Sequence, residues 1–248
     1  MNTIEDYRPK AHTPPTGFFN AIRFNIRLMV DLSVVSVYRH VKIFLQKANG
    51  NLLDLGCGES PYRFLVNEKT TNYFGVDIAD AVNFDYQRTD ITHFDGKKIP
   101  FVDTYFDFII CTEVLEHVED YQTLADEVYR VLKVNGKALF SIPWSARYHY
   151  IPHDYFRYTP TTLKKIFLPY KEVEIIPRGT DVTSISAKLI VLFFRNIFPN
   201  KIWRYVFFPF WLMVTPLIFF AILFGQISLL FKFGSDLDPI GYTILMTK

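Results

Sequence analysis

Two kinds of apolar pattern alternate along the chain. Short apolar runs, such as the one around Leu53 and the one from Phe106 to Cys111, have the length and composition of buried strands in a parallel sheet. Between them, apolar residues recur every three or four positions, as in the stretch from Leu124 to Leu132, which is typical of amphipathic helices. This alternation predicts an α/β fold, doubly wound around a mostly parallel sheet with right-handed crossovers.

The N-terminal part precedes the first predicted strand. Residues 1–16 contain three prolines among polar residues and are expected to form an irregular arm. From Phe19 to Phe44 the apolar spacing predicts one long helix or two consecutive helices. We expect this segment to pack on the sheet; a membrane or partner contact is the alternative.

A glycine-containing turn follows the first strand in the stretch N-L-L-D-L-G-C-G-E-S-P-Y, residues 51–62. Gly56 and Gly58 allow a sharp turn and the close approach of a ligand to the backbone. Ser60 followed by Pro61 predicts a helix start, with a capping hydroxyl and proline in the first turn. Strand, turn and helix together would form the nucleotide-binding corner of a doubly wound sheet.

Two acidic positions downstream are spaced as a nucleotide site requires. Asp77 ends the predicted second strand, 19 positions after Gly58, where a carboxylate accepts hydrogen bonds from both ribose hydroxyls. Asp90 and Ile91 are candidates for bracketing an adenine, through an acceptor for its amine and an apolar contact with the ring. An aspartate at a strand end, such as Asp77, is also an ordinary turn or cap residue.

Composition excludes some classes of function. The formal net charge is +2, and the many aromatic residues are not interleaved with a basic stripe, so we expect no nucleic-acid partner. The two cysteines, Cys57 and Cys111, end predicted strands and suit reduced buried thiols in a reducing compartment. The N-terminal residues are polar and lack the apolar core of a secretory signal.

Several ordered motifs resemble the class I S-adenosylmethionine-dependent methyltransferases, of the group called methyltransferase type 11. They read L-L-D-L-G-C-G, V-D-I, T-D-I, F-D-F-I-I-C-T-E-V-L-E-H-V and L-K-V-N-G-K-A-L-F-S-I-P. The resemblance covers roughly residues 50–178 and returns for the last few residues. It implies a seven-stranded Rossmann-like sheet whose last strand, Gly241–Met246, is antiparallel and lies beside the fifth, with Val173–Ile176 as the sixth strand.

The resemblance also implies the cofactor and its site. S-adenosylmethionine would lie against the glycine turn, the end of the second strand, the T-D-I stretch and the end of the fourth strand. The residues implied to bind it are Asp54, Gly56, Cys57, Gly58, Asp77, Ile78, Asp90, Ile91, Thr112 and Glu113. Ser60 stands where the family often has a third glycine.

A long apolar segment interrupts the predicted core. Val206–Phe231 contains no charged residue and could cross a bilayer as a helix. If the sixth and seventh strands pair in one sheet, however, both ends of this segment lie on one side of any membrane. We therefore expect a monotopic or re-entrant association with the cytoplasmic leaflet. A buried dimer interface or an oversized core extension is one alternative, and a true transmembrane span is the other.

These boundaries divide the chain into four parts. Residues 1–48 form an N-terminal arm and helical region, residues 49–183 the cofactor-binding core, residues 184–235 the apolar helical insert, and residues 236–248 the final strand.

The loop after the fifth strand is the expected acceptor side. It reads W-S-A-R-Y-H-Y-I-P-H-D-Y-F-R-Y-T-P, and its candidates for lining the acceptor pocket are His149, Asp154, Tyr155 and Arg157. A hydroxyl acceptor needs a base that works near neutral pH, for which His153 is the first choice and His117 the second. The Cys and His spacing of a zinc site does not occur, so no metal is expected.

The leading hypothesis is methyl transfer from S-adenosylmethionine to an amphipathic or lipid-linked small-molecule or glycan acceptor at the membrane surface. The first alternative is a soluble small-molecule acceptor, with the apolar insert used to form a homo-oligomer. The second is a scaffold that binds the cofactor at the membrane without catalysis. A dehydrogenase is a weaker rival, because the glycine turn lacks its usual third glycine.

Overall fold

A computed structural model describes residues 14–78, 90–199 and 201–248, in which seven strands form one mixed sheet. The strands are β1 Gly50–Leu55, β2 Thr71–Ile78, β3 Thr92–Phe94, β4 Phe106–Thr112, β5 Leu132–Pro143, β6 Glu172–Arg178 and β7 Gly241–Thr247. The helices are α1 Phe18–Val30, α2 Leu32–Leu45, α3 Tyr121–Val131, α4 Pro160–Ile166, α5 Asp181–Ile197 and α6 Phe208–Phe231. Short 3-10 helices cover Arg63–Leu65, Leu115–His117 and Ile202–Phe207.

The strand order is β3-β2-β1-β4-β5-β7-β6, which confirms the predicted fold class. The strand β1 pairs in parallel with β2 on one side and β4 on the other, so that Leu55 lies opposite both Val76 and Cys111. The last strand, β7, lies between β5 and β6 and is antiparallel to both. The carboxyl ends of the six other strands therefore lie at the edge of the sheet where β7 begins.

Helices cover both faces of this sheet. On one face, Leu124 and Val128 of α3 and Leu163 of α4 pack with Phe140 in the main core. On the other face, α2 packs its apolar side onto the sheet through residues that include Val37, Val41 and Phe44. The N-terminal apolar pattern thus forms two consecutive helices, which meet at Asp31, whose side chain accepts a hydrogen bond from the Val34 amide and caps α2.

The expected helix start at Ser60-Pro61 is wrong. Ser60 has a left-handed backbone, with φ of 51°, and its amide donates to the Cys57 carbonyl in a turn. A single 3-10 turn, Arg63–Leu65, follows before β2 begins at Thr71. On this face α2 packs against Tyr62 and Val66 of the same connection. The N-terminal helix α2, which we expected to pack on the sheet, therefore covers this face beside a connection that contains no α-helix in its described residues.

The apolar insert forms a helical hairpin, which we define as residues 181–231. The helix α5 leaves the carboxyl end of β6, the 3-10 turn Ile202–Phe207 follows, and α6 returns toward β7. Hydroxyl groups tie the base of the hairpin together: Thr180 and Thr183 each lie within hydrogen-bond distance of Ser228, at 2.7 and 2.6 Å. The hairpin thus begins and ends at the carboxyl edge of the sheet.

The span Ile202–Phe231 is long and apolar enough to cross a membrane by length and composition, and only 11% of its most apolar window is buried. The helix α6 alone has 24 residues, which corresponds to about 36 Å.

Candidate functional site

The glycine turn forms a tight corner at the carboxyl end of β1. Gly56 and Gly58 both have left-handed backbones, with φ of 70° and 47°. The amides of Gly56 and Cys57 donate to the Val76 carbonyl at 2.8 and 3.2 Å, which holds the corner against β2. A Cβ atom at Gly56 would collide with Val114, so the corner has room only for glycine at this position.

Asp77 connects this corner to the end of β2. Its carboxylate accepts from the Gly58 amide at 2.7 Å and from the Ile78 amide at 2.8 Å. Burial raises the pKa of Asp77, and the two amide hydrogen bonds oppose that shift. A carboxylate has about four lone-pair sites, so these two bonds leave capacity for two further donors.

Three other predicted cofactor residues surround the corner. Asp54 accepts from the Tyr73 hydroxyl at 2.6 Å behind the turn. The Cys57 sulfur and the Ile91 Cγ2 atom would both lie 3.1 Å from a Cβ added at Gly75, so the two side chains converge over that glycine. Burial raises the pKa of the Cys57 thiol, which is therefore neutral.

Asp90, which we expected to accept a hydrogen bond from the adenine amine, already has an arginine partner. Its carboxylate forms an ion pair with Arg63, whose guanidinium also lies over the Tyr73 ring. The adenine-binding role therefore needs Asp90 to accept one more donor beside Arg63. Ile91 lies at the corner itself.

The end of β4 carries Thr112 and Glu113. Glu113 has a φ of 55°, and its Oε1 atom accepts from the Ser141 hydroxyl at 2.8 Å and from Nη2 of Arg178 at 2.7 Å. Arg178 ends β6 and is almost completely buried, and its guanidinium also donates to the Ile142 carbonyl and the Ser36 hydroxyl. Sequence reasoning missed Arg178; the signal available was one arginine closing the apolar strand E-V-E-I-I-P-R.

The loop after β5 is tied to the end of β4. The amide of Tyr155 donates to the Glu116 carbonyl at 2.9 Å, and the Tyr158 hydroxyl donates to the Leu115 carbonyl. Within the loop, Arg157 donates to both carboxylate oxygens of Asp154, at 2.6 and 2.8 Å, and this pairing outweighs burial and lowers the Asp154 pKa. Asp154 in turn accepts from the backbone amide of His149 at 3.0 Å.

The two histidines proposed as bases lie together at this junction. The Nδ1 atom of His117 lies 2.5 Å from the His153 carbonyl, so this nitrogen carries the proton and donates it. Burial lowers the pKa of His117, which favours a neutral imidazole at neutral pH. The side chain of His153 is exposed, with Nδ1 3.1 Å from the Tyr155 hydroxyl.

Comparison with known proteins agrees with this geometry. Residues 53–140, which contain the corner and β4, match the family described as "Methyltransferase domain". A crystal structure of an S-adenosylmethionine-dependent methyltransferase from Archaeoglobus fulgidus shares the fold, with a TM-score of 0.52 and 22% identity over 92% of this chain and 99% of that one. Residues 53–140 thus form an S-adenosylmethionine-dependent methyltransferase domain, and the chain has the class I methyltransferase fold.

Two relatives show how far the sequence similarity extends. A demethylmenaquinone methyltransferase of Listeria monocytogenes is 26% identical over 185 residues, which cover 65% of this chain and 78% of the relative. An uncharacterized protein of Methanocaldococcus jannaschii is 28% identical over 139 residues, 56% of this chain and 60% of that protein. The chain thus spans less than two thirds of the length of one of these relatives.

The corner of this methyltransferase fits S-adenosylmethionine. The two left-handed glycines turn the backbone sharply at the end of β1, Asp77 retains acceptor capacity, and Ile91 lies beside Cys57. Asp54, Thr112 and Glu113 lie at the neighbouring ends of β1 and β4. We keep the individual cofactor contacts as proposals.

Proposed function

We propose that this methyltransferase acts on an amphipathic or lipid-linked acceptor, a small molecule or a glycan, while bound to one leaflet of a membrane. The observation that carries this proposal is the position of the helical hairpin. It projects from the carboxyl edge of the sheet, which is the edge that holds the glycine corner and Glu113. An acceptor anchored in the same leaflet would therefore be held close to the cofactor.

The surface of the hairpin supports a membrane contact. Exposed apolar and aromatic side chains occur along α6 and at the tip of the hairpin, where Ile202, Trp203 and Val206 are 87%, 62% and 71% exposed. Lys201 and Arg204 lie among them and suit an anionic headgroup region. Exposed apolar surface on this scale marks an interaction site rather than an ordinary soluble surface.

The helix α1 extends the same surface. Gln226 of α6 donates to the carbonyls of Leu28 and Met29, both at 2.9 Å, which joins α1 to the hairpin. Apolar residues of α1 are also exposed, namely Phe18, Phe19, Ile22, Ile26 and Met29. The alternative contact that the N-terminal pattern left open thus becomes part of the proposed membrane surface.

The topology favours a monotopic arrangement. The hairpin is joined at one end to β6 and at the other to β7, and these strands are hydrogen-bonded neighbours. Both ends of the hairpin must therefore stay on the same side of a bilayer, which a single crossing does not allow. The reduced buried cysteines suit the cytoplasmic side.

The acceptor side would be the loop after β5. S-adenosylmethionine supplies an electrophilic methyl group on a sulfonium. The protein would hold the acceptor in line with that methyl group and would remove the proton of the acceptor. His117 suits the base better than His153, because it is neutral, part-buried and held by a backbone carbonyl. The demethylmenaquinone methyltransferases among the relatives lend support to an apolar acceptor.

Phase partition tests the acceptor class. The purified protein would be incubated with methyl-labelled S-adenosylmethionine and a total extract of its source cells, with Asp77→Ala as control. We expect enzyme-dependent label in the organic phase. Label confined to the aqueous phase would contradict the proposal and favour a soluble acceptor, with the hairpin used for dimerisation.

Flotation with anionic vesicles tests the membrane contact separately. We expect the triple variant Ile202→Glu, Trp203→Glu and Val206→Glu to lose flotation, because charged side chains disfavour an apolar phase. A matched control places the same charges on exposed apolar residues at the opposite edge of the sheet, at Val102, Val134 and Leu168. Equal flotation of the two variants would reject the hairpin as the membrane contact.

A further inference from the structure

Three side chains with metal-ligating atoms meet where the loop after β5 touches the end of β4. They are Glu116, His117 and His149, and one ligand atom from each lies within 4.8 Å of the others. Ligands placed about 2.1 Å from a common ion in a tetrahedral arrangement lie about 3.4 Å apart. Small side-chain rotations would therefore bring the three atoms into one coordination sphere.

Glu116 is the unusual member of this cluster. Its side chain is fully buried, and neither carboxylate oxygen has a hydrogen-bond partner within the described part of the chain. The nearest cationic candidate is Nε2 of His117, which lies 3.6 Å from Oε1. A buried carboxylate without partners is costly, and such groups are normally paired or bind a metal ion.

In each of the two imidazoles, the Nδ1 atom lies beside a backbone carbonyl. His117 uses Nδ1 to donate to the His153 carbonyl, which leaves Nε2 facing Glu116. His149 has Nδ1 2.9 Å from the Arg147 carbonyl and 3.1 Å from Oδ2 of Asp154. Metal-bound histidines commonly donate their second nitrogen to a carbonyl or a carboxylate in this way, which fixes the ring and its tautomer.

Among the described residues, Glu116 is the carboxyl group of this region that forms no ion pair with an arginine. Burial raises its pKa, so a bound ion would replace its proton. Asp154 is neutralised by the bidentate contact with Arg157, and Glu113 by the contact with Arg178. The side chains of His117 and His149 remain about one-fifth exposed, so the cluster opens toward solvent on the acceptor side. An ion held there would have a coordination position open to a further ligand.

We propose that Glu116, His117 and His149 bind a divalent first-row transition-metal ion. One carboxylate oxygen and two imidazole nitrogens suit zinc, manganese, iron or cobalt better than magnesium or calcium, which prefer oxygen ligands. The binding site stands independently of the acceptor. Its use rests on the proposed function: the ion would bind an acceptor hydroxyl and favour its deprotonated form, with the proton released to water. With the ion bound, His117 would be a ligand and not the base, because its Nδ1 atom donates to the His153 carbonyl and its Nε2 atom would bind the ion.

Direct metal binding tests the site without an activity assay. The full chain in detergent would be stripped with a chelator and titrated with Co²⁺, with visible absorption as the readout, and with Zn²⁺ by calorimetry. We expect one ion per chain. Glu116→Gln and His149→Asn should each weaken binding by about tenfold or more, because each removes a ligand.

Two matched variants serve as controls. Glu119→Gln makes the same change at an exposed position three residues after Glu116, and His153→Asn removes a histidine outside the cluster. Both should retain the affinity of the wild-type protein for the ion. S-adenosylmethionine binding by calorimetry reports folding, and if Glu116→Gln does not fold, His149→Asn decides the question.

The outcomes separate the metal site from the proposed function. Binding of less than one ion in five chains by the wild-type protein, or equal affinity in a folded ligand variant, would overturn the metal site. Metal binding with label only in the aqueous phase would keep the site and reject the lipid-linked acceptor.

Discussion

Nη2 of Arg178 lies 2.7 Å from Oε1 of Glu113, and this contact joins the carboxyl ends of β6 and β4. The guanidinium is buried, whereas the side chain of Glu113 is about one-third exposed. Gly241 at the start of β7 makes the contact possible, because a Cβ atom there would collide with the guanidinium. Arg178 thus holds in place a carboxylate that the family resemblance puts beside the methyl donor.

Replacing Arg178 should therefore cost stability. We expect Arg178→Met to lower the free energy of unfolding by about 2–4 kcal/mol, because Glu113 loses its partner and the Ile142 carbonyl loses a donor. Denaturant unfolding would measure this change. Combining it with Glu113→Gln should cost less than the sum of the two single changes, and full additivity would contradict a direct pairing.

Asp77 should determine much of the affinity for the cofactor. We expect Asp77→Asn to weaken S-adenosylmethionine binding by about tenfold to a hundredfold, because hydrogen bonds to a charged group are worth about 1.5–3 kcal/mol. Calorimetry would measure the affinity. Asp95→Asn, at an exposed turn, is the matched control. Similar affinities for the two folded variants would remove Asp77 from the ribose site.

The corner at Gly56 should not tolerate a side chain. We expect Gly56→Ala to lower stability by about 2–4 kcal/mol, because the backbone is left-handed and the new methyl group would meet Val114. Thermal unfolding would report the loss. The double variant with Val114→Ala removes the collision but not the backbone strain, so it should recover only part of the stability. If Gly56→Ala lowers stability by the same amount in the Val114→Ala background as in the wild-type protein, the proposed collision with Val114 is contradicted.

His40 should make the fold sensitive to acid. Burial and the nearby Arg178 lower the pKa of His40 from 6.5 to about 4, and its Nδ1 atom lies 2.6 Å from the Thr243 hydroxyl. Between these two pKa values the unfolded chain binds more protons at His40 than the folded chain. The contribution to stability is therefore fully present above about pH 6.5 and is lost as the pH falls toward 4.

His40→Gln should flatten this dependence. Across the window the wild-type protein should lose up to about 3 kcal/mol more than the variant. Denaturant unfolding at several pH values between 4 and 7 would measure both slopes. Parallel curves for the two proteins would show that His40 does not titrate as we infer.

Local pattern determined much of this protein. The alternation of strands and helices, the sharp glycine turn and the position of Asp77 near the end of β2 follow from residues close in sequence, because strand length, turn chemistry and motif spacing are local properties. The apolar segment before β7 was also evident, since composition alone marks it. The cofactor was implied by the family resemblance that the ordered motifs carry.

Contacts between distant segments decided the rest. No helix starts at Ser60, because its backbone is left-handed. The face near Tyr62 is instead covered by α2, which precedes β1 in the sequence, whereas Tyr62 follows β1. Arg178 reaches Glu113, and His149 reaches Glu116 and His117, only because parallel strands bring their carboxyl ends to one edge. Spacing along the chain does not encode such meetings. These contacts arise only in the folded sheet, in which strands from distant parts of the sequence lie side by side.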